Sequence, residues 1–468
     1  MNIREVVMKG RFVIAMIVSS WLVFSAGSGI ASSRETGDRL GLRESISIAI
    51  SKSLALDSAR EEVKALEALS REARTAFYPS LSTSYSYTRL NETPEAPGID
   101  FSFSPPVMKH LQVGTKNNYA WQFQLRQPLY AGGRIESGYE IQELGTRISR
   151  YDEKTALQDL VLEVTESYFG ILKSERIRDV AMQSLEQLKA HRNRARSFYN
   201  VGIIPKNDLL FAELEVANGR QSLVRAENAL QLAKARFNTL LRRDIDTPVR
   251  IEDILTYEPY EPDFDTCRVL GLEKRSELHS YEQRIEQVRK TVDLAKADFY
   301  PAVNLVGSYG RYGDTPRVSG SEYHEEYDWN ILAVAEWNLW EWGKTKYAVS
   351  ERHSRERQAI NALGQIKDSV VLEIKNDYLF LREAEKHIFV AEKAIEQAEE
   401  NLRINNERYN QQVATSTDVI DAQTILTGAK SDYYNALSDY NIAHKRLERS
   451  MGVIGETGDA GISVEKMP

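Results

Sequence analysis

The sequence predicts a mixed α and β fold that consists of two structural repeats, and three observations support this prediction. The motif Phe-Tyr-Pro occurs at 77–79 and returns at 299–301, 222 residues later. A turn-forming segment at 199–208 has a counterpart at 409–418, 210 residues later. Alternating apolar and polar residues follow both motifs, and heptad-like periodicity surrounds both turns. Self-similarity at a fixed spacing is the signature of repeated structural units.

The N-terminal segment 1–31 has the features of an export signal. Three basic residues precede an apolar run at 12–24, and small residues surround Ala31 at the expected cleavage position. The alternative, a retained membrane anchor, is disfavoured because the run is short and contains two serines. We expect the mature chain to begin near Ser32.

The composition argues against several classes of protein. A net charge of -8 does not suit a nucleic-acid-binding protein, and a mean hydropathy of -0.44 indicates that most of the chain is not lipid-embedded helix. After the N-terminal run, no stretch of about 18 apolar residues predicts a further transmembrane helix. Cys267 is the only cysteine, so an intramolecular disulfide is impossible, and we expect a buried or idle thiol.

The motifs of enzymes and metal sites are missing from the sequence. It has no Gly-rich phosphate-binding loop, no nucleophile motif and no cysteine cluster. His324 precedes two glutamates, a pattern more typical of a solvated acidic loop than of a cation site. The histidines lack metal-ligand spacing: His110, His191, His279, His324, His353, His387 and His444. We therefore expect no catalytic residues, no cofactor and no metal.

Each repeat is predicted to begin with a helix, from Leu42 to Ala76 in the first and from Leu272 to Asp298 in the second. Proline disfavours helix at the residue before it. Each Phe-Tyr-Pro motif therefore marks a passage from helix to strand.

The segments after the prolines alternate as β-strands do. One face of the first pair of strands carries Leu81, Thr83, Tyr85, Tyr87, Tyr119, Trp121, Phe123 and Leu125, and small or polar residues form the other face. The second repeat alternates more weakly, at about 302–312 and 329–340. Aromatic residues outward and polar residues inward are typical of membrane-barrel strands, although a soluble half-buried hairpin remains the alternative. Trp121, Trp337 and Trp340 then suit an aromatic girdle at the membrane interface.

Long helices are predicted after both pairs of strands. Loops at 91–118 and 313–328 join the strands, and segments at 131–134 and 341–344 return the chain to helix. The helices that follow approach 70 residues, or roughly 100 Å, and must pack against neighbours along their whole length.

The helices that leave the two turns carry a seam of large residues alternating with Ala or Gly, which lets a facing helix approach closely. We expect Ser416 and Thr417 to be candidate N-caps of the second of these helices. The seams are Leu209, Ala212, Val216, Gly219, Leu223, Ala226, Leu230, Ala233 and Phe237, and Val419, Ala422, Leu426, Ala429, Tyr433, Ala436, Tyr440, Ala443 and Leu447.

The predicted division of the chain follows from these elements. An export signal at 1–31 is followed by repeat 1 at 32–242, an equatorial linker at 243–266, repeat 2 at 267–451 and a tail at 452–468. Repeat 1 contains a β-hairpin at 80–130 and a helical hairpin at 131–242. Repeat 2 contains a β-hairpin at 302–340 and a helical hairpin at 342–451.

Four predicted strands are too few to close a barrel, since about eight is the smallest usual number. Open sheet edges cannot persist in lipid, because their backbone groups would lack hydrogen-bond partners. The strands must then be completed by other chains, which predicts an obligate oligomer.

With these features the chain resembles the TolC-type outer-membrane efflux proteins over almost its whole mature length. The resemblance rests on the Phe-Tyr-Pro exits, the Leu-Tyr-Ala-Gly-Gly-Arg segment at 129–134 and the two turns. It implies a homotrimer whose four strands per chain form a 12-stranded β-barrel in outer-membrane lipid, continuous with a long α-helical barrel across the periplasm. It also implies a periplasmic adaptor, an inner-membrane transporter and a duct that passes substrate without chemistry. Drugs, proteins and metals all remain open as cargo.

The resemblance also assigns gate residues. Asp418 and Asp421 match aspartates at the family's periplasmic constriction, and their spacing puts them on one helix face. Tyr409 and Asp208 match residues that latch neighbouring coils closed. The alternatives are that the two aspartates only complement a helix N-terminus, and that Tyr409 only packs at a helix end.

The resemblance places adaptor contacts at the turns, with two departures from the family pattern. Gln412 replaces an expected Gly, and Ala414 stands where some relatives carry a latching Arg, so we expect a weaker or rearranged closed-state network. The expected adaptor contacts are Val201, Gly202, Ile203, Gln412 and Val413. An exported coiled-coil scaffold or adaptor without a pore is the alternative function, but it does not readily explain two aromatic-faced hairpins.

Overall fold

The computed structural model describes residues 39–261 and 263–455. The predicted export signal at 1–31 and the residues 456–468 of the predicted tail lie outside the described residues. Every element below belongs to the compact unit that begins at Leu40.

Helices occupy most of the described residues. In chain order they are α1 (Leu42–Lys52), α2 (Leu54–Thr75), α3 (Arg134–Asn200), α4 (Lys206–Leu240), α5 (Phe264–Lys274), α6 (Ser276–Lys296), α7 (Lys344–Asn410) and α8 (Ser416–Ser450). A 3-10 turn, Ala297–Phe299, follows α6.

The two helices predicted before the strands are each divided in two, which corrects the sequence prediction. Ser53, between α1 and α2, has φ -70° and ψ 117°, and Arg275, between α5 and α6, has φ -69° and ψ 120°. The Ser53 hydroxyl accepts a hydrogen bond from Leu56 N at 3.3 Å and so restarts the helix. Apolar periodicity continues through both breaks and could not reveal them.

The long helices form two hairpins of equal size. Helices α3 and α7 have 67 residues each, about 100 Å at 1.5 Å per residue, and α4 and α8 have 35 each. Gly133 and Gly343 precede α3 and α7 with φ of 86° and 83°, a left-handed conformation that suits glycine. Among the helices of the described ranges, none combines the length and apolarity needed to cross a membrane.

The predicted seams lie on the buried side of these hairpins. Leu209 and Phe237 of α4 are buried, as are Val419 and Leu447 of α8. A Cβ atom on Gly219 would lie 3.0 Å from a Leu188 methyl carbon, so this small residue permits the close approach of α3 and α4.

The strands are β1 (Ser80–Arg89), β2 (Glu95–Asp100), β3 (Val107–Gln112), β4 (Asn117–Tyr130), β5 (Ala302–Gly313) and β6 (Tyr327–Glu336). Four of them form one antiparallel sheet in the order β1-β4-β5-β6. Strands β1 and β6 are its edges.

The register of the sheet places the predicted outward faces of both β-hairpins on the same side. Tyr85 lies opposite Trp121, Trp121 opposite Arg311, and Arg311 opposite Tyr327. Directly opposed residues share a face. One face therefore carries Leu81, Tyr85, Tyr87, Tyr119, Trp121, Phe123, Leu125, Tyr309, Trp329 and Ile331, and the other carries Ser82, Ser84, Ser86, Gln122, Gln124, Asn304, Ser308 and Asn330.

Two expectations about the strands were wrong in detail. The segment 91–118, expected to be a loop, contains the hairpin β2–β3, and the Asp100 carboxylate accepts a hydrogen bond from Ser102 N at 2.9 Å where this hairpin turns. Strand β6 ends at Glu336 rather than at 340, because its last partner, Ala302, follows Pro301, which has no N–H to donate.

Two tyrosines in the central core hold the predicted linker against the long helices through hydrogen bonds to backbone carbonyls. The hydroxyl of Tyr168, halfway along α3, donates to the carbonyls of Leu40 at 3.1 Å and Glu252 at 2.8 Å. The hydroxyl of Tyr440 in α8 donates to the carbonyl of Glu258 at 2.7 Å. Residues 264–266, the end of the predicted linker, already belong to helix α5.

Candidate functional site

The turn between α3 and α4 contains the first predicted tip residues. Gly202 has φ 78°, and Ile203 N donates to Phe198 O at 2.9 Å. This Schellman motif satisfies a carbonyl that a helix end would otherwise leave free. Val201, Gly202 and Ile203 are exposed, so the turn presents apolar side chains to solvent.

The turn between α7 and α8 has the same backbone geometry with a different residue. Gln412 occupies the left-handed region with φ 64°, and Val413 N donates to Arg408 O at 2.9 Å. A residue with a Cβ is strained in this conformation, whereas glycine is not. Gln412 and Val413 are exposed, as the first set is.

Helix α8 begins with a capping box centred on Thr415, not with Ser416 or Thr417 as N-cap. Asp418 N donates to Thr415 Oγ1 at 3.3 Å, and Thr415 N donates to Asp418 Oδ2 at 2.7 Å. The prediction misplaced the cap because three hydroxyl residues stand in a row and only the first has the non-helical backbone of a cap.

The two predicted gate aspartates differ in their surroundings. Asp418 is exposed, and hydrogen bonds from the backbone and then the side chain of Thr415 lower its carboxyl pKa. This is the geometry expected of an acid that serves a helix N-terminus. Asp421 is exposed one turn later and, within the described ranges, makes neither a hydrogen bond nor an ion pair. Of the two, Asp421 has the carboxylate that is free to act elsewhere.

The predicted latch residue Tyr409 is a core residue of the tip. It is 2% exposed, and its ring lies 4.8 Å from the His191 ring and 5.5 Å from the Phe198 ring, centroid to centroid. Burial first, and then the nearby Asp208 carboxylate, raise the pKa of the Tyr409 phenol. The Tyr409 hydroxyl has no hydrogen-bond partner within the described part of the chain. The structure thus brings Tyr409 and Asp208 near each other without a hydrogen bond.

His191, which sequence reasoning left unassigned, joins the two hairpins. It is 2% exposed on α3, and its Nε2 lies 2.7 Å from the Oγ of buried Ser416 on α8. Burial, and then the charge of Arg194, lower the pKa of His191 to about 4. Only one sequence signal could have identified it: His191 continues the buried row of Leu185 and Leu188 at a step of three.

A cavity of about 100 Å³ adjoins this contact between α3, α7 and α8. Its lining includes His191, Arg194, Asn406 and Gln423. Arg194 Nη2 donates to Asn406 Oδ1 at 2.9 Å and so ties α3 to α7. The junction of the hairpins near the turns is therefore polar as well as buried.

Within the described residues, no cluster of three or more His, Cys, Asp or Glu side chains is arranged to hold a metal ion. His324 Nε2 instead lies 2.8 Å from Asn118 Oδ1. Cys267 is buried, and burial raises the pKa of its thiol.

The predicted girdle tryptophans are exposed at the two ends of the sheet. Trp121 lies near the loop end of β4, and its indole N–H donates to Thr83 Oγ1 at 3.1 Å. Trp337 and Trp340 lie just beyond the helix end of β6, where the Trp337 indole donates to Phe299 O at 3.1 Å.

Comparison with known proteins gives the same architecture. The family model described as "Outer membrane efflux protein" matches residues 45–241 and 269–453. The chain is 21% identical to outer membrane protein TolC of Escherichia coli strain K12 over 397 residues, 82% of this chain and 76% of that protein. It is 22% identical to the alkaline protease secretion protein AprF of Pseudomonas aeruginosa over 459 residues, 93% of this chain and 89% of that one.

Solved structures share the fold. The outer membrane protein VceC of Vibrio cholerae superposes with a TM-score of 0.74 at 17% identity, over 88% of this chain and 96% of that one. The CmeC outer membrane channel of Campylobacter jejuni gives a TM-score of 0.74 at 15% identity, over 88% and 85%. Because the family model matches more than half of the residues, the chain belongs to the outer membrane efflux protein family.

Proposed function

We propose that this protein is the exit duct of a tripartite efflux or type I secretion system, which carries substrate from an inner-membrane transporter through the periplasm and the outer membrane. The observation that carries the proposal is a sheet with one exposed apolar face and two unpaired edges, joined directly to two helical hairpins. Membership of the outer membrane efflux protein family supports it.

The sheet edges support assembly of several copies. Strands β1 and β6 have 10 residues each, and among the residues that the structure describes each pairs with one neighbouring strand. In lipid, each unpaired backbone group would cost several kcal/mol, so the edges need strands from other copies. Three copies of this four-stranded sheet would supply 12 strands, above the minimum of about eight for a barrel.

The tryptophan positions support a membrane location for this sheet. Along β5, Arg311, which pairs with Trp121, lies nine residue steps from Ala302, which pairs with the last residue of β6. Nine residues span about 30 Å, and a strand tilt of about 40° reduces this to roughly 23 Å along a barrel axis. That height is close to the apolar band of about 25 Å in outer-membrane barrels.

Residues 210 positions apart occupy equivalent places in the two helical hairpins, and this equivalence supports contact between copies in a trimer. Within the chain, α3 packs on α8: Ile420 is 4% exposed because it clusters with Leu185 and Leu188. Leu210, its counterpart on α4, is 52% exposed. The other large apolar residues exposed on the same helix are Leu214, Val224 and Leu232. We propose that α7 of a second copy covers this row as α3 covers α8.

The residue roles follow from this proposal. Asp418 and Asp421 would form carboxylate rings at the periplasmic constriction, and Tyr409 with Asp208 would hold neighbouring coils. The exposed tip residues Val201, Gly202, Ile203, Gln412 and Val413 would contact the periplasmic adaptor. The two repeats, 32–242 and 267–451, would each supply half of the four strands.

Single-channel conductance of the purified protein in planar bilayers tests the function. We expect small cation-selective openings from wild type, with divalent-cation block lost in the Asp418→Ala/Asp421→Ala double variant. Asp432→Ala, an exposed acid farther along α8, is the matched control and should keep the block. Well-folded oligomers that neither insert nor conduct would contradict the duct. Block that persists in the double variant would contradict only the gate assignment.

A further inference from the structure

We propose that the buried contact between His191 and Ser416 is the lock that holds the two helical hairpins of one chain together at the tip. The proposal rests on the duct function above and adds to it two positioning residues that no family motif supplies. We call the arrangement in which Ser416 contacts His191 the closed tip. Opening requires the start of α8 to move away from α3.

The position of the contact makes it suitable as a lock. Ser416 is the first residue of α8, directly after the Thr415 cap and two residues before Asp418. A hydrogen bond at this point therefore controls where the predicted gate begins. The distance from His191 Nε2 to Ser416 Oγ is 2.7 Å, and both residues are at most 2% exposed. Exclusion of water strengthens such a bond.

The contact is part of a larger buried cluster at the turn. Tyr409 packs its ring against His191, so the lock belongs to one cluster with residues of α3, α7 and α8. A buried bond thus joins α3 to the start of α8 at the turn.

The surroundings make the lock sensitive to protonation of His191. The ionisable groups around it are Arg194 on α3, Tyr409 on α7, Asp208 on α4 beside Tyr409, and Asp418 on α8 in its capping box. The Arg194 charge opposes an imidazolium, and the positive end of the α8 dipole lies at Ser416. The adjoining cavity of about 100 Å³ gives the ring room to leave Ser416.

The pH dependence has a definite sign. Burial and Arg194 lower the pKa of His191 from 6.5 to about 4 in the closed tip, whereas a ring exposed by opening titrates near its ordinary value. The open tip therefore binds the proton more tightly. Above about pH 6.5 the ratio of closed to open tip is at its highest and does not depend on His191. Between about pH 6.5 and pH 4 this ratio falls as pH falls, by at most about tenfold per pH unit.

The test compares single-channel recordings of wild type, His191→Phe, Ser416→Ala and Ser184→Ala from pH 7 to pH 4. His191→Phe keeps an aromatic ring without the nitrogen. Ser184 accepts a hydrogen bond from Thr427 at 3.0 Å in the same α3–α8 junction, farther from the turn, so Ser184→Ala is the matched control. Intact oligomers on a gel confirm that each variant assembles.

We expect open probability at pH 7 to rise at least tenfold in His191→Phe and Ser416→Ala and to stay unchanged in Ser184→Ala. Wild type should open as pH falls, and His191→Phe should lose that dependence. Conducting wild type with an unchanged Ser416→Ala variant would overturn the lock while leaving the duct intact. A His191→Phe variant that keeps the wild-type pH profile would also overturn it, and a wild type that never conducts would overturn both proposals.

Discussion

The two helical hairpins, 134–240 and 344–450, have the same helix lengths but end their helices with different residues. At the turns, the left-handed position is Gly202 in the first hairpin and Gln412 in the second. At the far ends of α4 and α8, it is Arg242 in the first and Gly452 in the second. The backbone geometry is shared, so the choice between glycine and a larger residue depends on what surrounds each position.

Gly452 shows the strongest such constraint. A Cβ atom there would lie 3.0 Å from the Arg275 Cα and 3.0 Å from the Lys274 carbonyl carbon, whereas Arg242 carries a full side chain at the same backbone position. Gly202 has open space around it. Packing therefore requires glycine at the end of α8, but not at the turn after α3.

The largest expected effect comes from Gly452→Ala. The added methyl group meets backbone atoms that cannot move aside, and we expect a loss of roughly 3 kcal/mol in unfolding free energy. Denaturant unfolding of the detergent-solubilised protein measures it. Arg242→Ala, which keeps the same backbone conformation, should change stability by less than about 0.5 kcal/mol. A loss of only about 1 kcal/mol in Gly452→Ala, the cost of the left-handed conformation by itself, would show that φ and not packing sets the difference.

A smaller effect is expected from the caps, because α8 has a capping box and the N-cap of α4, Pro205, has no side-chain cap. Thr415→Ala should cost about 1 kcal/mol at pH 7, and Pro205→Ala should cost less. Hydrogen bonds from Thr415 lower the pKa of Asp418. The part of the box that the Asp418 carboxylate contributes is therefore present above pH 3.8 and lost as pH falls through the lowered pKa.

Thermal unfolding of the wild type and of Thr415→Ala between pH 7 and pH 2 measures this difference. The gap should narrow towards the acid end, because protonation of Asp418 removes the bond that its carboxylate accepts from the Thr415 hydroxyl, whereas the bond from Asp418 N to that hydroxyl oxygen does not depend on pH. A gap that stays constant with pH would mean that the Asp418 carboxylate gains nothing from the Thr415 hydroxyl.

The smallest expected effect comes from exchanging the turn residues. Gln412→Gly should relieve the left-handed strain at φ 64° and stabilise the protein by up to about 1 kcal/mol. Gly202→Gln should destabilise it by a similar amount. Unfolding midpoints measure both, and changes of the same sign would contradict an intrinsic difference between the two turns.

The buried sides of the long helices and the faces of the sheet could be predicted from the sequence. Heptad seams marked the buried sides of α4 and α8, and alternation in residues such as Tyr85 and Trp121 marked the shared face of the sheet. These features depend on periodicity, which a single sequence records directly.

Some of the missed details are local, and others depend on partners distant in the chain. The breaks at Ser53 and Arg275 interrupt the backbone without interrupting the apolar pattern. Strands β2 and β3 form a local hairpin inside the segment that was expected to be a loop, whereas the end of β6 depends on Pro301, which directly precedes the neighbouring strand β5. His191 gains its role only from Ser416, 225 residues later.

We propose that neighbouring copies meet as the two hairpins of one chain do. Within the chain, Thr427 donates to Ser184 at 3.0 Å. The 210-residue offset maps Ser184 to Ala394 on α7 and Thr427 to Ala217 on α4. Of these two alanines, Ala217 is exposed and Ala394 is partly buried.

The most direct measurement is therefore disulfide crosslinking of Ala217→Cys/Ala394→Cys in a Cys267→Ala background, with Ser184→Cys/Thr427→Cys as the control within one chain. We expect oxidation to convert the first variant to a covalent trimer and to leave the control at monomer size on a denaturing gel. A first variant that stays monomeric while the control forms its disulfide would contradict it.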